Sequence, residues 1–122
     1  MSLLSDKCVP CHGGEKPMAE DSIRRMLDEV VGWRLRTYND VHKIEKIYEF
    51  SNFQKALDFT NAVGALAEAE GHHPVLVTEW GKVTVIYWTH ATGGLHRNDF
   101  IMAAKTDDLS LGHGPGEDGT TG

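Results

Sequence analysis

Glu68, His72, His73, Trp80, His90 and Asp99 are the residues whose types and spacing could do chemistry. An imidazole titrates near pH 6.5, so a cluster of them can hold a proton donor and a proton acceptor at neutral pH. A carboxylate beside such a ring can accept its hydrogen bond and set its tautomer. Each residue also has a plainer reading when taken alone. A single histidine at a strand end is a hydrogen-bonded or solvated structural residue. Asp99 alone is a first-turn acid that favours the helix dipole. Glu68 alone is an exposed helix acid, Trp80 alone is packing, and Pro74 alone starts a strand. Three histidines could also ligate zinc, but no pair has the i, i+4 helical spacing or the His-x-His spacing of a local ligand pair. No metal and no cofactor are expected.

The joint reading depends on the elements that hold these residues. Periodic apolar positions Ile23, Met26, Leu27, Val30 and Val31 predict a helix over 19–31, ended by Gly32. Two strands follow, over about 33–37 and 42–50, joined by a turn at Tyr38-Asn39-Asp40. Ser51 or Asn52 can cap a long second helix, whose face is read as Phe53, Ala56, Leu57, Thr60, Gly64 and Ala67. Gly71 stops that helix. A hairpin around Gly81 pairs residues 74–80 with 82–90, and a last helix runs from Leu95 to Lys105 or Thr106. Antiparallel pairing around Gly81 brings the start of the third strand to the end of the fourth. His72, His73 and His90 are therefore expected at one end of the hairpin. The negative end of the long helix favours a protonated imidazole there by about 0.3–1 kcal/mol.

The element order α-β-β-α-β-β-α predicts an α+β fold. It is a two-layer sandwich with a four-stranded antiparallel sheet and three helices on one face. One such sheet has open edges, and pairing an edge with a second copy is a route to a homodimer or homotetramer. The 122 residues suit one core. We expect an irregular extension over 1–18, a domain over 19–108 and a disordered tail over 109–122, where Gly, Thr and acidic residues replace apolar ones.

Composition narrows the function classes. Eighteen acidic residues against twelve Lys and Arg give a net charge of −6. The longest basic run is Arg24-Arg25, which argues against direct nucleic-acid binding. No apolar stretch approaches the roughly 20 residues of a membrane span. The N-terminus lacks the pattern of a signal peptide, so a cytoplasmic location is expected. Cys8-Val9-Pro10-Cys11 fits a reduced compartment better than a disulfide framework.

The spacing of the whole set is specific. Glu68-x3-His72-His73-Pro74, then Trp80, His90 and Asp99, resembles the signature of the pterin-4a-carbinolamine dehydratases. Two stretches carry the resemblance, Glu70-Gly71-His72-His73-Pro74 and Thr89-His90-Ala91-Thr92-Gly93-Gly94-Leu95-x-x-Asn98-Asp99-Phe100. It covers about residues 17–106, and the family's fold has the element order given above.

The resemblance implies a dehydratase acting on a 4a-hydroxytetrahydropterin, the carbinolamine left by pterin-dependent aromatic amino acid hydroxylases. His72 and His90 would be the acid–base pair. His73 would hold the pterin and share the proton work. Asp99 would orient an imidazole or sit beside the ring, Glu68 would support the site, and Trp80 would be a wall or structural aromatic. The family also includes dimerisation cofactors of a transcription factor and assembly helpers, so a non-catalytic role with a protein partner is the alternative. His96 stands where the family often has Ser or Thr capping the last helix. Histidine caps poorly, so a looser helix start and a solvated side chain are expected there.

Cys8-Val9-Pro10-Cys11-His12 also matches the C-x-x-C-H pattern of haem attachment. Haem attachment occurs outside the cytoplasm, and the other histidines fit a different motif. A thioredoxin-like site is disfavoured because no strand precedes the cysteines and no helix opens at them. Half of a zinc site completed by a second chain is a further alternative. The Cys-x-x-Cys-x-Gly-Gly leader resembles the N-terminal extension of bacterial members of the dehydratase family.

Overall fold

The computed structural model describes residues 3–10 and 16–113. After a 3-10 turn at Leu3–Ser5 come helix α1 (Glu20–Leu27), strands β1 (Arg34–Tyr38) and β2 (Val41–Glu49), helix α2 (Phe53–Glu70), strands β3 (Val75–Glu79) and β4 (Lys82–Tyr87), and helix α3 (Arg97–Ser110). The expected α-β-β-α-β-β-α order holds, and the four strands form one antiparallel sheet in the order β1-β2-β4-β3. The structure is the anticipated two-layer α+β sandwich.

Both hairpins are closed by two residues whose backbone the turn dictates. Asn39 and Asp40 both have positive φ, 49° and 65°. They join Tyr38 directly to its partner Val41, and short polar side chains tolerate that region best. At the second hairpin Gly81 has φ +80°, and a Cβ there would lie 3.3 Å from the Phe50 carbonyl.

Strand alternation separates a packed face from an open one. Ile44, Tyr48, Val83, Val85 and Tyr87 point into the core, where they meet Ile23 of α1, Phe59 and Val63 of α2, and Phe100 and Met102 of α3. Phe59 is fully buried, with its ring 4.7 Å from Tyr48 and 5.3 Å from Phe50. Burying a phenylalanine this way contributes about 1.5–3 kcal/mol, and truncation to alanine typically costs about 3–5 kcal/mol.

The buried stripe of α2 is Ala56, Phe59, Val63 and Ala67, a correction to the face read from sequence. Phe53 is exposed, and a Cβ added at Gly64 would meet nothing within 4 Å. The large apolar side chains at 59 and 63 decide which side faces the sheet. Thr60 stays at the flank, where Thr78 of β3 donates to its hydroxyl at 2.6 Å while Thr60 donates to Ala56 O. Asn52 caps the helix by accepting from Lys55 N at 2.8 Å.

Helix α3 runs to Ser110, past the expected end at 105 or 106. Asp107 explains the extra turn. Its carboxylate accepts from Trp33 Nε1 at 3.2 Å and Lys46 Nζ at 2.8 Å, and from the Tyr48 hydroxyl in a short bond. This contact also accounts for Lys46 on the inward parity of β2.

The described residues of the leader are irregular apart from the turn at Leu3–Ser5, yet they pack on the domain. Leu3 is buried, Lys105 Nζ donates to Leu4 O at 2.8 Å, and Arg97 pairs with Asp6 at 2.5 Å. Of the tail assigned to 109–122, Leu109 and Ser110 belong to α3, and residues 114–122 lie outside the described residues.

Candidate active site

Gly71 creates the site's first feature. In the left-handed conformation, with φ +68°, it ends α2. The amides of Gly71 and His72 both bond back to Ala67 O, at 2.9 and 3.2 Å. The chain then turns so that His72 and His73 emerge beside the helix end, and Pro74 leads into β3. Pairing of Val75 with Ile86 sets this corner against the end of β4. There Thr89 pairs with Gly94 across a tight loop, and His90 stands at the loop's start.

Asp99 is the electrostatic centre. Its side chain is fully buried, which a carboxylate tolerates only when its oxygens are satisfied. One oxygen is 2.6 Å from His72 Nε2. The other accepts from the Thr89 hydroxyl at 2.8 Å and from His96 N at 3.0 Å. A carboxylate only accepts, so His72 Nε2 carries the proton and Nδ1 is left for exchange. The His72 ring is further held by stacking on Tyr87, with centroids 6.2 Å apart and planes at 17°. Tyr87 is itself anchored, donating to Thr106 at 2.9 Å, and burial raises its pKa.

His96 corrects the expectation of a loose helix start and a solvated ring. Its Nδ1 accepts from Asn98 N at 3.0 Å, and Asp99 bonds back to its amide, completing a reciprocal cap. A neutral imidazole offers one lone pair in the plane of the ring, and here it takes the place of a hydroxyl.

His72, His73 and His90 line one open cleft of about 290 Å³, together with Trp88 and Asn98. Val9 and Pro10 of the leader close one part of it. His72 is mostly buried, whereas His73 and His90 are exposed. His73 Nε2 donates to Glu68 at 2.6 Å, so Glu68 supports a ring rather than lining the cleft. Trp88 and His90 are in ring contact at 4.5 Å, and the Lys43 ammonium sits 3.8 Å above the Trp88 ring.

Trp80 does not join this site. It occupies the hairpin turn, 72 % exposed, at the opposite end of the β3–β4 pairing from Val75 and Ile86. The aromatic in the cleft is Trp88. Its alternation with His90 on one parity was the available signal. Asn98 lies in a stretch already singled out, whereas nothing periodic marks Val9 and Pro10.

Cys8 is half-buried, and its thiol donates to Asn98 O at 3.8 Å. Burial first, then the charges of Glu70 and Asp99, pushes its pKa up to about 12. A redox-active thiol needs the opposite shift. Cys11 and His12, which the haem pattern requires, lie outside the described residues. Among the described residues no group of three or more His, Cys, Asp or Glu is arranged to hold a metal ion. No helix among them is long and apolar enough to cross a membrane.

The sequence profile described as "Pterin 4 alpha carbinolamine dehydratase" matches residues 16–109. The chain belongs to this family. A relative from Microcystis aeruginosa, provisionally named a pterin-4-alpha-carbinolamine dehydratase, is 52 % identical over 107 residues, covering 88 % of this chain and 92 % of the relative. Another from Chlorobaculum tepidum, with the same provisional name, is 54 % identical over 110 residues, 89 % of this chain and 99 % of its own.

The family fold also appears in solved structures. A "transcriptional coactivator/pterin dehydratase" from Brucella melitensis superposes with a TM-score of 0.69 at 24 % identity, covering 77 % of this chain and 98 % of its own. A pterin dehydratase-like protein described as a RuBisCO assembly factor in the alpha-carboxysome gives 0.56 at 25 % identity, covering 65 % of this chain and 89 % of its own.

Proposed function

We propose that this chain removes water from a 4a-hydroxytetrahydropterin to give the quinonoid dihydropterin, recycling the pterin used in aromatic amino acid hydroxylation. The observation that carries the reading is the His72–Asp99 pair, with its buried carboxylate, opening onto a cleft that His90 also lines.

The reaction breaks the C4a–O bond and forms a C4a=N5 double bond. The leaving hydroxyl takes a proton and departs as water, and N5–H gives one up, so no net proton is consumed. Two imidazoles suffice. His72, with its Nε2 proton tied to Asp99, serves one transfer through Nδ1, and His90 serves the other. His73, steadied by Glu68, orients the ring and shares the proton work. Asp99 is a positioning residue, because it acts through His72. General acid–base assistance of this kind typically gives about 10²–10⁴-fold. The cleft lies near the lower end of small-molecule sites, about 300–1,000 Å³, and suits a bicyclic ring.

Stopped-flow absorbance on a freshly generated carbinolamine tests this directly. The wild-type chain should accelerate loss of the 4a-hydroxyl, and His72→Ala and His90→Ala should fall to the buffer rate with their circular dichroism unchanged. A wild-type rate equal to buffer, or both variants at the wild-type rate, would overturn the catalytic assignment.

A second reading, a non-catalytic assembly cofactor, draws on the sheet's open face. Ile47, Val75 and Val77 are exposed there, between the unpaired edges of β1 and β3. A stoichiometric partner on pull-down combined with no turnover would favour it. The same edges underlie our proposal of a homo-oligomer in the cytoplasm, which sedimentation and fractionation test.

A further inference from the structure

The leader is clasped to the domain at its end nearest the cleft. Val9 N donates to Asn98 Oδ1 at 3.0 Å, and Asn98 Nδ2 donates back to Val9 O at 2.7 Å. Cys8 N donates to Glu70 Oε1 at 3.1 Å, and Glu70 in turn faces Lys105 at 3.8 Å. Asn98 is 2 % exposed. A buried amide is costly unless paired, and this one holds a main-chain segment by both of its hydrogen-bonding groups. Cys8 packs against the core, but the two residues after it bury little. Val9 is 55 % exposed, and Pro10 is exposed as well. The Asn98 part of the clasp therefore holds residues that contribute little to the core. It holds an uncharged, apolar dipeptide at the rim of the cleft that His72, His73 and His90 share.

We propose that Val9 and Pro10 form a substrate-contacting wall, held by Asn98, that sets the affinity of the cleft for a flat, uncharged bicyclic ring. The inference rests on the pterin reading of this cleft. Such a wall supplies binding common to ground state and transition state, so its loss raises KM and leaves kcat. Proton transfer stays with the imidazoles.

The test compares the full-length wild type with the Val9→Ala/Pro10→Ala double variant, which trims the exposed side chains without introducing glycine, and with Asn98→Ala, which opens the clasp. The Kd of 7,8-dihydrobiopterin is measured by calorimetry, alongside KM and kcat for the carbinolamine. Loss of one apolar contact predicts that Kd and KM rise together in the double variant by roughly five- to tenfold, with kcat held within about twofold. Asn98→Ala should do the same or more. A wild type that binds and turns over, with a double variant indistinguishable from it, overturns the wall. A fall in kcat with unchanged Kd also overturns it, because the leader would then be acting on the imidazoles. A wild type that neither binds nor turns over the pterin instead marks failure of the site reading, and the wall falls with it.

Discussion

One oxygen of Asp99 accepts a hydrogen bond from His72 Nε2 at 2.6 Å, while the other caps the start of α3 by accepting from His96 N. One carboxylate therefore both holds the His72 ring and anchors the helix start. Asp99→Asn keeps the size but presents an amide donor where a donor already points. We expect kcat to fall by about 10²-fold or more as the His72 tautomer is disturbed. Stability should drop by about 1–3 kcal/mol from the damaged cap and unmet donors. Turnover and urea unfolding on one preparation check both.

His90 separates chemistry from folding. Its side chain is exposed at the cleft and carries no core packing. His90→Gln should lower kcat by about 10²-fold while the thermal midpoint stays put. His73→Ala should raise KM and lower kcat by less than His90→Gln does, because His73 orients the ring and only shares the proton work. Steady-state kinetics of the two variants should diverge in that way.

Asp107 predicts the converse. It gathers Trp33, Lys46 and Tyr48 near the end of α3, whereas Asp99 marks that helix's first turn. Asp107→Ala leaves three donors short of a partner and should cost about 1.5–3 kcal/mol. Turnover at 25 °C should persist. Denaturant midpoints and activity, measured together, distinguish this site from the proposed active site.

Cys8 gives a pH dependence with a definite sign. Its pKa rises from an ordinary thiol value of 9.0 to about 12 in the fold. The group's stabilising contribution is therefore complete below about pH 9 and is lost as pH climbs towards 12, since only the unfolded chain ionises readily there. In a Cys11→Ser variant, iodoacetamide at pH 8 should label native Cys8 on the order of 10³-fold more slowly than the urea-unfolded chain, following the thiolate fraction. Equal rates would contradict the burial argument.

Much of this was legible in the sequence, for identifiable reasons. Apolar periodicity located all seven helices and strands, and the Gly81 hairpin fixed which histidines meet. Local rules failed where a distant partner decides. A capping scale ranks histidine low, yet His96 caps through a lone pair that Asp99 supports from the other side. Gly64 looked like a contact because it is small, but Phe59 and Val63 chose the buried face. The resemblance offers Trp80 as a wall or a structural aromatic, and strand register puts it at the far end of the hairpin, away from the cleft. The role of Val9 depends on Asn98, 89 positions away, and no periodicity spans that distance.

The paired hydrogen bonds between Asn98 and Val9 run through the main-chain atoms of Val9. The side chains at positions 9 and 10 take no part in those two bonds. Exchanging them re-contours the rim without unfastening it, so two codons offer a low-risk place to retune ligand preference by directed evolution.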